Sequence, residues 1–172
     1  MEQAYCEALK TAIEFELNGL AFYRQLIDRV SDPFAKRVLV FLAGEEVGHI
    51  RKIEAFNNFL LGKGDFDMEE ECNLDLPDKI QALVQEKMKE AKKNVTPESD
   101  DLDIYDVAML LESKSRELYE QALDENKDER VEIFLRFMLS EENEHYDLLF
   151  ASKRYLEDPA YYFEEYGGWI FG

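Results

Sequence analysis

The strongest constraint on this chain is a pair of Glu-x-x-His motifs that contain its only two histidines. The motifs are Glu46–His49 and Glu142–His145, and the second follows the first at an offset of 96 residues. Two further glutamates obey the same offset, because Glu16 and Glu112 each stand 30 residues before a motif glutamate. Residues at i and i+3 share one face of an α-helix, so each motif places a carboxylate beside an imidazole. The pattern therefore predicts two similar helical halves.

Four segments carry the hydrophobic period of amphipathic helices, near residues 2–30, 33–61, 100–125 and 128–157. Their apolar residues recur at alternating spacings of three and four, and no segment shows the strict alternation of a strand. In every segment the apolar stripe is interrupted by one or two of the glutamates and histidines that are related by the 96-residue offset. We therefore expect all four glutamates and both histidines to face the interior.

The links between the segments indicate how the helices are arranged. Asp32 and Pro33 are typical of an N-cap and of a first helical position. The second link, near Asn126–Asp128, is equally short, and short links join antiparallel neighbours. Gly62 and Gly64 are expected to end the second helix.

A long segment, residues 62–99, separates the two halves. It is acidic at first and regains a helical pattern from about Asp78 to Lys93. We therefore predict one all-α domain over residues 1–172. It is an antiparallel four-helix bundle of the ferritin-like type, with a long crossover that carries an extra helix between helices 2 and 3. The aromatic C-terminal tail, 158–172, is expected to pack onto the bundle or onto a partner subunit.

Charge and cysteine content restrict the classes of function. The net charge is −19, which disfavours nucleic acid and anionic membrane surfaces as partners and favours cations. The sequence shows neither a signal peptide nor an apolar run long enough to span a membrane. Cys6 and Cys72 form no Cys-x-x-Cys motif and are expected to be reduced thiols. These features predict a cytoplasmic protein.

The repeated glutamates and histidines are predicted to bind metal. Burying a bare carboxylate costs several kcal/mol, and four carboxylates together also repel one another. Two divalent cations offset four carboxylate charges. One Glu from each of two helices and Glu-x-x-His from each of two others is an arrangement found in di-iron and di-manganese bundles. The predicted ligands are Glu16, Glu46, His49, Glu112, Glu142 and His145. Mixed carboxylate and imidazole ligation suits iron or manganese and tolerates zinc.

Four other residues stand in fixed relation to these ligands. Tyr23 and Tyr119 match across the repeat, seven residues after Glu16 and Glu112. If they are functional, they either hydrogen-bond a ligand carboxylate or lie close enough to the metals to donate an electron; otherwise they are ordinary aromatic residues of the core. Glu45 and Glu141 point about 100° away from the neighbouring ligand and are expected to be solvated.

The motif stretches resemble the rubrerythrin-like branch of the ferritin-like superfamily. The matching segments are AIEFELNGLAFY (12–23), FLAGEEVGHI (41–50), MLLESKSRELYE (109–120) and FMLSEENEHYDLL (137–149). The resemblance implies a non-haem centre of two iron ions, with one histidine for each iron. Glu16 and Glu112 would be terminal ligands, and Glu46 and Glu142 bridging ligands. It also implies a homodimer that reduces hydrogen peroxide or reacts with dioxygen.

The chain departs from that family pattern in two respects. Rubrerythrins carry a rubredoxin-type domain with paired Cys-x-x-Cys motifs, and this sequence has none. An external, rubredoxin-like electron-donor protein is therefore implied. Rubrerythrins also have another glutamate one turn after the third-helix ligand, and this glutamate takes part in a redox-linked shift of one iron ion. Ser115 occupies that position here, and its match across the repeat is Gly19.

Three hypotheses of different classes follow. The first is a cytoplasmic di-iron oxidoreductase that acts on hydrogen peroxide or dioxygen. The second is an iron-binding or ferroxidase-type protein that handles iron without catalytic turnover, for which the negative surface is suited. The third is a purely structural helical protein that binds no metal.

Overall fold

The computed structural model describes residues 2–60, 62 and 100–158, and this part of the chain folds into four α-helices without a strand. The helices are α1 (Glu2–Ile27), α2 (Pro33–Leu60), α3 (Asp101–Glu125) and α4 (Glu129–Glu157). The predicted four-helix bundle is thereby confirmed. The predicted crossover helix, the aromatic tail after Asp158 and the side chains of both cysteines lie outside the described residues.

Local side-chain hydrogen bonds determine where the helices begin and end. Asp32 Oδ1 accepts the backbone N–H groups of Phe34 and Ala35, each at 2.8 Å, as expected of an N-cap before Pro33. Asp100 and Asp103 form a reciprocal capping box at the start of α3. Gly62, with φ of 67°, follows α2 in the left-handed conformation that favours glycine. Asp128 caps α4 by accepting the Arg130 N–H.

The first helix ends three residues earlier than predicted, at Ile27 rather than at residue 30. Val30 N–H still bonds to the Leu26 carbonyl at 2.9 Å, so the chain makes one more turn outside the regular helix. Beyond it, Asp101 fixes the link between α1 and α2. Its two carboxylate oxygens accept Ser31 N–H, Ser31 Oγ–H and Asp32 N–H at 2.8–3.0 Å. The link is thus tied to the start of α3.

The helices pack as two antiparallel pairs, α1 with α2 and α3 with α4. The α1 helix also contacts α3, and α2 contacts α4, which closes the bundle. Two apolar clusters fill the interior. One contains Leu20, Leu39 and Leu149, and the other contains Ile53, Phe56 and Phe134. The predicted glutamates and histidines lie along the helices between residues of these two clusters.

Helix length and polarity bear on the question of membranes. Among the described residues, none of the helices combines the length and the apolar character that are needed to cross a lipid bilayer.

The Asp101 link provides a test of this architecture. Asp101→Ala removes three hydrogen bonds at a half-buried position, and we expect a loss of about 1–2 kcal/mol in the free energy of unfolding. These bonds hold the pKa of Asp101 below its usual value, although burial alone would raise it. A carboxylate whose pKa is lowered by folding stabilises the folded state at pH values above its unfolded-state pKa. This stabilisation is lost as the pH falls through the lower, folded-state pKa.

Urea unfolding at neutral pH and at about pH 3 measures both effects, with Glu120→Ala, which removes an exposed carboxylate on α3, as the control. Equal stability of the Asp101→Ala variant and the wild type at neutral pH would contradict the proposed role of the link.

Candidate metal centre

All six residues predicted as metal ligands meet in one buried cluster at the middle of the bundle. Each helix contributes to it, and each of the six side chains is at most 4% exposed. α1 and α3 each supply one glutamate, and α2 and α4 each supply one glutamate and one histidine. In chain order the residues are Glu16, Glu46, His49, Glu112, Glu142 and His145.

The imidazole Nδ1 atoms face the carboxylates. His49 Nδ1 lies 3.1 Å from Glu16 Oε2 and also 3.1 Å from Glu142 Oε1. His145 Nδ1 lies 3.9 Å from Glu112 Oε2. The two rings stack on each other with their centroids 5.0 Å apart and their planes 17° from parallel. The histidines therefore form one side of a shared pocket.

Potential ligand atoms fall into three overlapping groups, in each of which the atoms lie within 4.8 Å of one another. The first group contains Glu16, Glu46 and His49. The second is formed by Glu46, Glu112 and His145, and the third by His49, Glu142 and His145. Glu46 is thus common to a group on each side of the cluster, and Glu142 lies with both histidines. This overlap is suited to two neighbouring cations rather than to one.

The glutamates are electrostatically unlike one another. Burial, together with the neighbouring Glu16, raises the pKa of Glu46 well above its usual value. Burial and Glu142 do the same for the pKa of Glu112. Burial also opposes ionisation of Glu16, but the adjacent His49 outweighs it and lowers the Glu16 pKa. Without a cation, the cluster thus retains protons on some of its carboxylates.

The histidines differ from each other in the same way. Burial alone would lower the pKa of His49, but the Glu16 carboxylate beside it raises that pKa to about 10. For His145, burial and the positive charge of His49 act together and lower the pKa to about 3. In the metal-free state His49 therefore acts as the cation of the pocket, and His145 remains neutral.

Several buried polar atoms of this cluster have no hydrogen-bond partner among the described residues. They include His145 Nδ1 and Glu142 Oε1, and both face the interior of the pocket. His49 Nδ1 is equally far from the Glu16 and Glu142 carboxylates, but its single N–H can donate to only one of them. The hydrogen bond is to Glu16, and Glu142 Oε1 is left without a donor among the described residues. Unpaired buried acceptors are costly, and a cation satisfies several at once. The donor set, of hard carboxylates and neutral imidazole, fits iron, manganese or zinc.

Tyr23 and Tyr119 bond to glutamates of the opposite half. The Tyr23 hydroxyl donates to Glu112 Oε1, and the Tyr119 hydroxyl donates to Glu16 Oε1. Both tyrosines are almost completely buried. Burial and these carboxylates raise the pKa of each phenol well above 10.0, so both hydroxyls remain donors. Of the two interpretations that the sequence left open, the structure shows the hydrogen bond to a candidate ligand carboxylate.

Gly19 leaves the space that the Glu46 carboxylate occupies. A Cβ atom at this position would stand 3.0 Å from Glu46 Cδ and Oε2 and 3.1 Å from Oε1. Such contacts are tighter than ordinary van der Waals separation, so any larger residue would displace the carboxylate. Ser115, its match across the repeat, is itself buried.

The expectation that Glu141 is solvated was wrong. Its side chain is 22% exposed and lies 3.2 Å from the Lys52 ammonium, and Glu141 Oε2 is 4.0 Å from His49 Nε2. Glu45, expected to be solvated too, is half-buried. An offset of about 100° on one helix predicts which way a residue points, but not that another helix covers that direction. The sequence offered no signal for the Lys52 contact, which joins α2 to α4.

An apolar cavity approaches the cluster from the end of the bundle where α1 begins and α3 ends. Its volume is about 440 Å³, and Leu9, Leu118 and Phe134 contribute to its lining. Tyr119, which bonds to Glu16, is also part of that lining. The cavity therefore reaches a residue in direct contact with the candidate ligands.

Comparison with known proteins gave one finding. The family model described as Rubrerythrin matches residues 7–153, a range that contains all six residues of the cluster. Searches among curated proteins and among solved structures gave no significant match.

The space at Gly19 generates a prediction about metal binding. Gly19→Ala should increase helix propensity by about 1 kcal/mol, yet weaken binding of Co²⁺ roughly tenfold, because the new methyl displaces Glu46. Gly48→Ala on α2 is the matched control, since a Cβ there meets nothing within 4 Å. It should gain stability without losing affinity. Cobalt titration followed by visible absorption measures the affinities, and an unchanged affinity in Gly19→Ala would contradict the assigned role.

Proposed function

The chain belongs to the rubrerythrin family, and on that premise we propose that it is a di-iron oxidoreductase that reduces hydrogen peroxide or reacts with dioxygen. One observation carries the proposal most directly. Four carboxylates and two imidazoles share one buried pocket, and Glu46 belongs to a ligand group on each side of it. A buried set of this kind is costly to fold unless cations bind to it.

We assign the ligands from the overlap of the groups. Glu16 and His49 would hold one iron ion, and Glu112 and His145 the other. Glu46 and Glu142 would bridge the two ions, because each lies with ligands of both sides. The same assignment is implied by the family resemblance. Manganese or zinc is compatible with these donors, and iron is preferred because of the family.

When bound, the two iron ions would supply two electrons and Lewis acidity to the reaction. Reduction of one hydrogen peroxide to two water molecules consumes those two electrons together with two protons. The residues of the chain would provide the setting. Burial excludes bulk water from the pocket, and the Tyr23 and Tyr119 hydroxyls orient Glu112 and Glu16 by hydrogen bonds. This preorganisation keeps the ligands in place while charge is redistributed.

The apolar cavity next to Tyr119 supports a role in substrate access. Hydrogen peroxide and dioxygen are small and uncharged, and the cavity leads through Leu9, Phe134 and other largely apolar side chains. The net charge of −19 would repel anionic oxidants before they reached it. We therefore propose that the neutral oxidant approaches the site from this end of the bundle.

The 172 residues contain two cysteines and no Cys-x-x-Cys motif, so none of them forms a rubredoxin-type electron carrier. We propose a separate rubredoxin-like protein as the electron donor. Ser115 stands where rubrerythrins have an additional glutamate, so an iron shift toward that glutamate is not part of the proposed mechanism.

Iron handling without turnover is a second candidate, and the charge of −19 favours it because an acidic surface concentrates Fe²⁺. Storage would require a hollow shell of many subunits. We propose a homodimer instead, in keeping with the family. Val40 and Phe41 on α2 are each about half exposed and offer an apolar surface for such a contact.

Loss of a bridging ligand should abolish the proposed reaction. Wild-type protein should bind two iron ions per chain by elemental analysis. Its reduced form should be oxidised by hydrogen peroxide on the order of 100-fold faster than reduced Glu46→Ala, since loss of a ligand exceeds the usual effect of outer-shell changes. Stopped-flow absorbance measures the rates. Glu144→Ala, which changes an exposed carboxylate on α4, should behave as the wild type. Equal rates in wild type and Glu46→Ala would refute the proposal.

Turnover distinguishes the two candidate functions. With a reduced rubredoxin-type donor in excess, an oxidoreductase consumes many equivalents of hydrogen peroxide per chain. An iron-handling protein consumes only the equivalents that match its bound Fe²⁺. Gel filtration gives a separate test, because a dimer agrees with the proposal, whereas a particle of about two dozen subunits would establish storage instead.

A further inference from the structure

We propose that Glu141, held in place by Lys52, is a positioning residue that keeps His49 Nδ1 directed at a metal ion. We further infer that the pair makes the two metal positions chemically unequal. This inference rests on the proposed metal centre and adds residues to it that lie outside the six candidate ligands.

The first argument is the state of the His49 ring. His49 is 1% exposed, and its Nδ1 is directed toward Glu16 and Glu142. Its other nitrogen, Nε2, is buried and has no hydrogen-bond partner among the described residues. A metal ion on Nδ1 uses the lone pair of that atom, so the neutral ring carries its proton on Nε2. That N–H then needs an acceptor.

Glu141 is in the right place to be that acceptor. Its Oε2 lies 4.0 Å from His49 Nε2, so a side-chain movement of about 1 Å would bring it within hydrogen-bond distance. Metal-binding histidines generally donate their second N–H to a carboxylate, a carbonyl or water, which fixes both tautomer and orientation. Glu141 is the half-buried residue directly before Glu142, so the same helix turn supplies a ligand and a support for another ligand.

Lys52 keeps Glu141 on this side of the helix. The Lys52 Nζ lies 3.2 Å from Glu141 Oε2 and 4.4 Å from the centroid of the Phe137 ring, so its position is restricted by two contacts. Both charged side chains are 22% exposed, and partial burial makes the pair less screened than a surface pair. Lys52, Glu141 and His49 thus form a chain of charged and polar groups from the surface to the pocket.

The internal repeat shows that only one half has this chain of groups. Glu141 matches Glu45, but Lys52 matches Leu148, which carries no charge. The imidazole of His49 therefore has a supporting carboxylate with a cationic partner, and no such pair is encoded at the equivalent positions for His145. Different support gives the two histidines different basicity, and the metal positions they serve should differ in affinity.

Cobalt binding tests the inference with Glu141→Ala, Glu141→Gln and Glu45→Ala. Wild-type protein should bind two Co²⁺ per chain. Glu141→Ala should weaken one of the two binding steps by about 10- to 100-fold and leave the other within a few fold. Glu141→Gln should retain most of the affinity, because its amide oxygen accepts the same proton. Glu45→Ala, at the matched position of the other half, should behave as the wild type.

The Nε2–H signals in NMR spectra of the zinc-loaded protein provide a readout that a purely structural role would not change. The chain has only two histidines, so the two ring signals are readily assigned. In wild type the His49 Nε2–H should exchange slowly with water. In Glu141→Ala that exchange should be at least about tenfold faster, because the Nε2–H has lost its acceptor. The exchange of the His145 ring N–H should be unchanged.

The outcomes separate this inference from the proposed function. If wild type binds no cobalt, the metal centre itself is refuted, and the inference with it. If wild type binds two ions but Glu141→Ala matches it in affinity and in His49 exchange, the metal centre stands and the role of Glu141 is refuted. An equal loss in Glu45→Ala would also refute it, because the effect would then follow from removing any neighbouring carboxylate.

Discussion

The burial of four carboxylates between two apolar clusters is the constraint on which the rest of this structure depends. Each is at most 3% exposed, and a set of bare charges in such a place opposes folding. Several nearby features reduce that cost. Tyr23 and Tyr119 donate hydrogen bonds, the His49 imidazole supplies positive charge, and Gly19 leaves space for Glu46. These devices leave acceptors unsatisfied, and cations bound in the pocket would satisfy them. The same buried carboxylates would therefore determine both the stability of the bundle and its ability to bind cations.

The two-fold repeat explains how one chain builds a nearly symmetric site. Each tyrosine bonds to a glutamate of the other half, so the site exists only when α1 and α3 lie side by side. The two halves differ at several positions near the candidate ligands, and two of these differences bear on the site. Gly19 is matched by Ser115, and Lys52 is matched by Leu148. A symmetric set of candidate ligands with asymmetric neighbours would give two bound metal ions different surroundings.

Much of this arrangement could be predicted from residues alone. The 96-residue offset, the apolar stripes and the Asp32-Pro33 signal predicted the helices and the residues that meet at the cluster. Sequence could not tell which hydroxyl bonds to which glutamate, because that depends on the packing of helices far apart in the chain. It misplaced Glu141 for the same reason: a helical wheel gives direction, and only the neighbouring helix shows that Lys52 is there. The tie between Asp101 and the Ser31–Asp32 link is likewise revealed by no local pattern.

We propose that this buried cluster holds a pair of metal ions. Anomalous diffraction from crystals of the iron-loaded protein, recorded at the iron absorption edge, tests it most directly. We expect two peaks, both enclosed by the four glutamates, with one histidine beside each. A single peak at that position, or iron only on the acidic surface with none between Glu46 and Glu142, would contradict it.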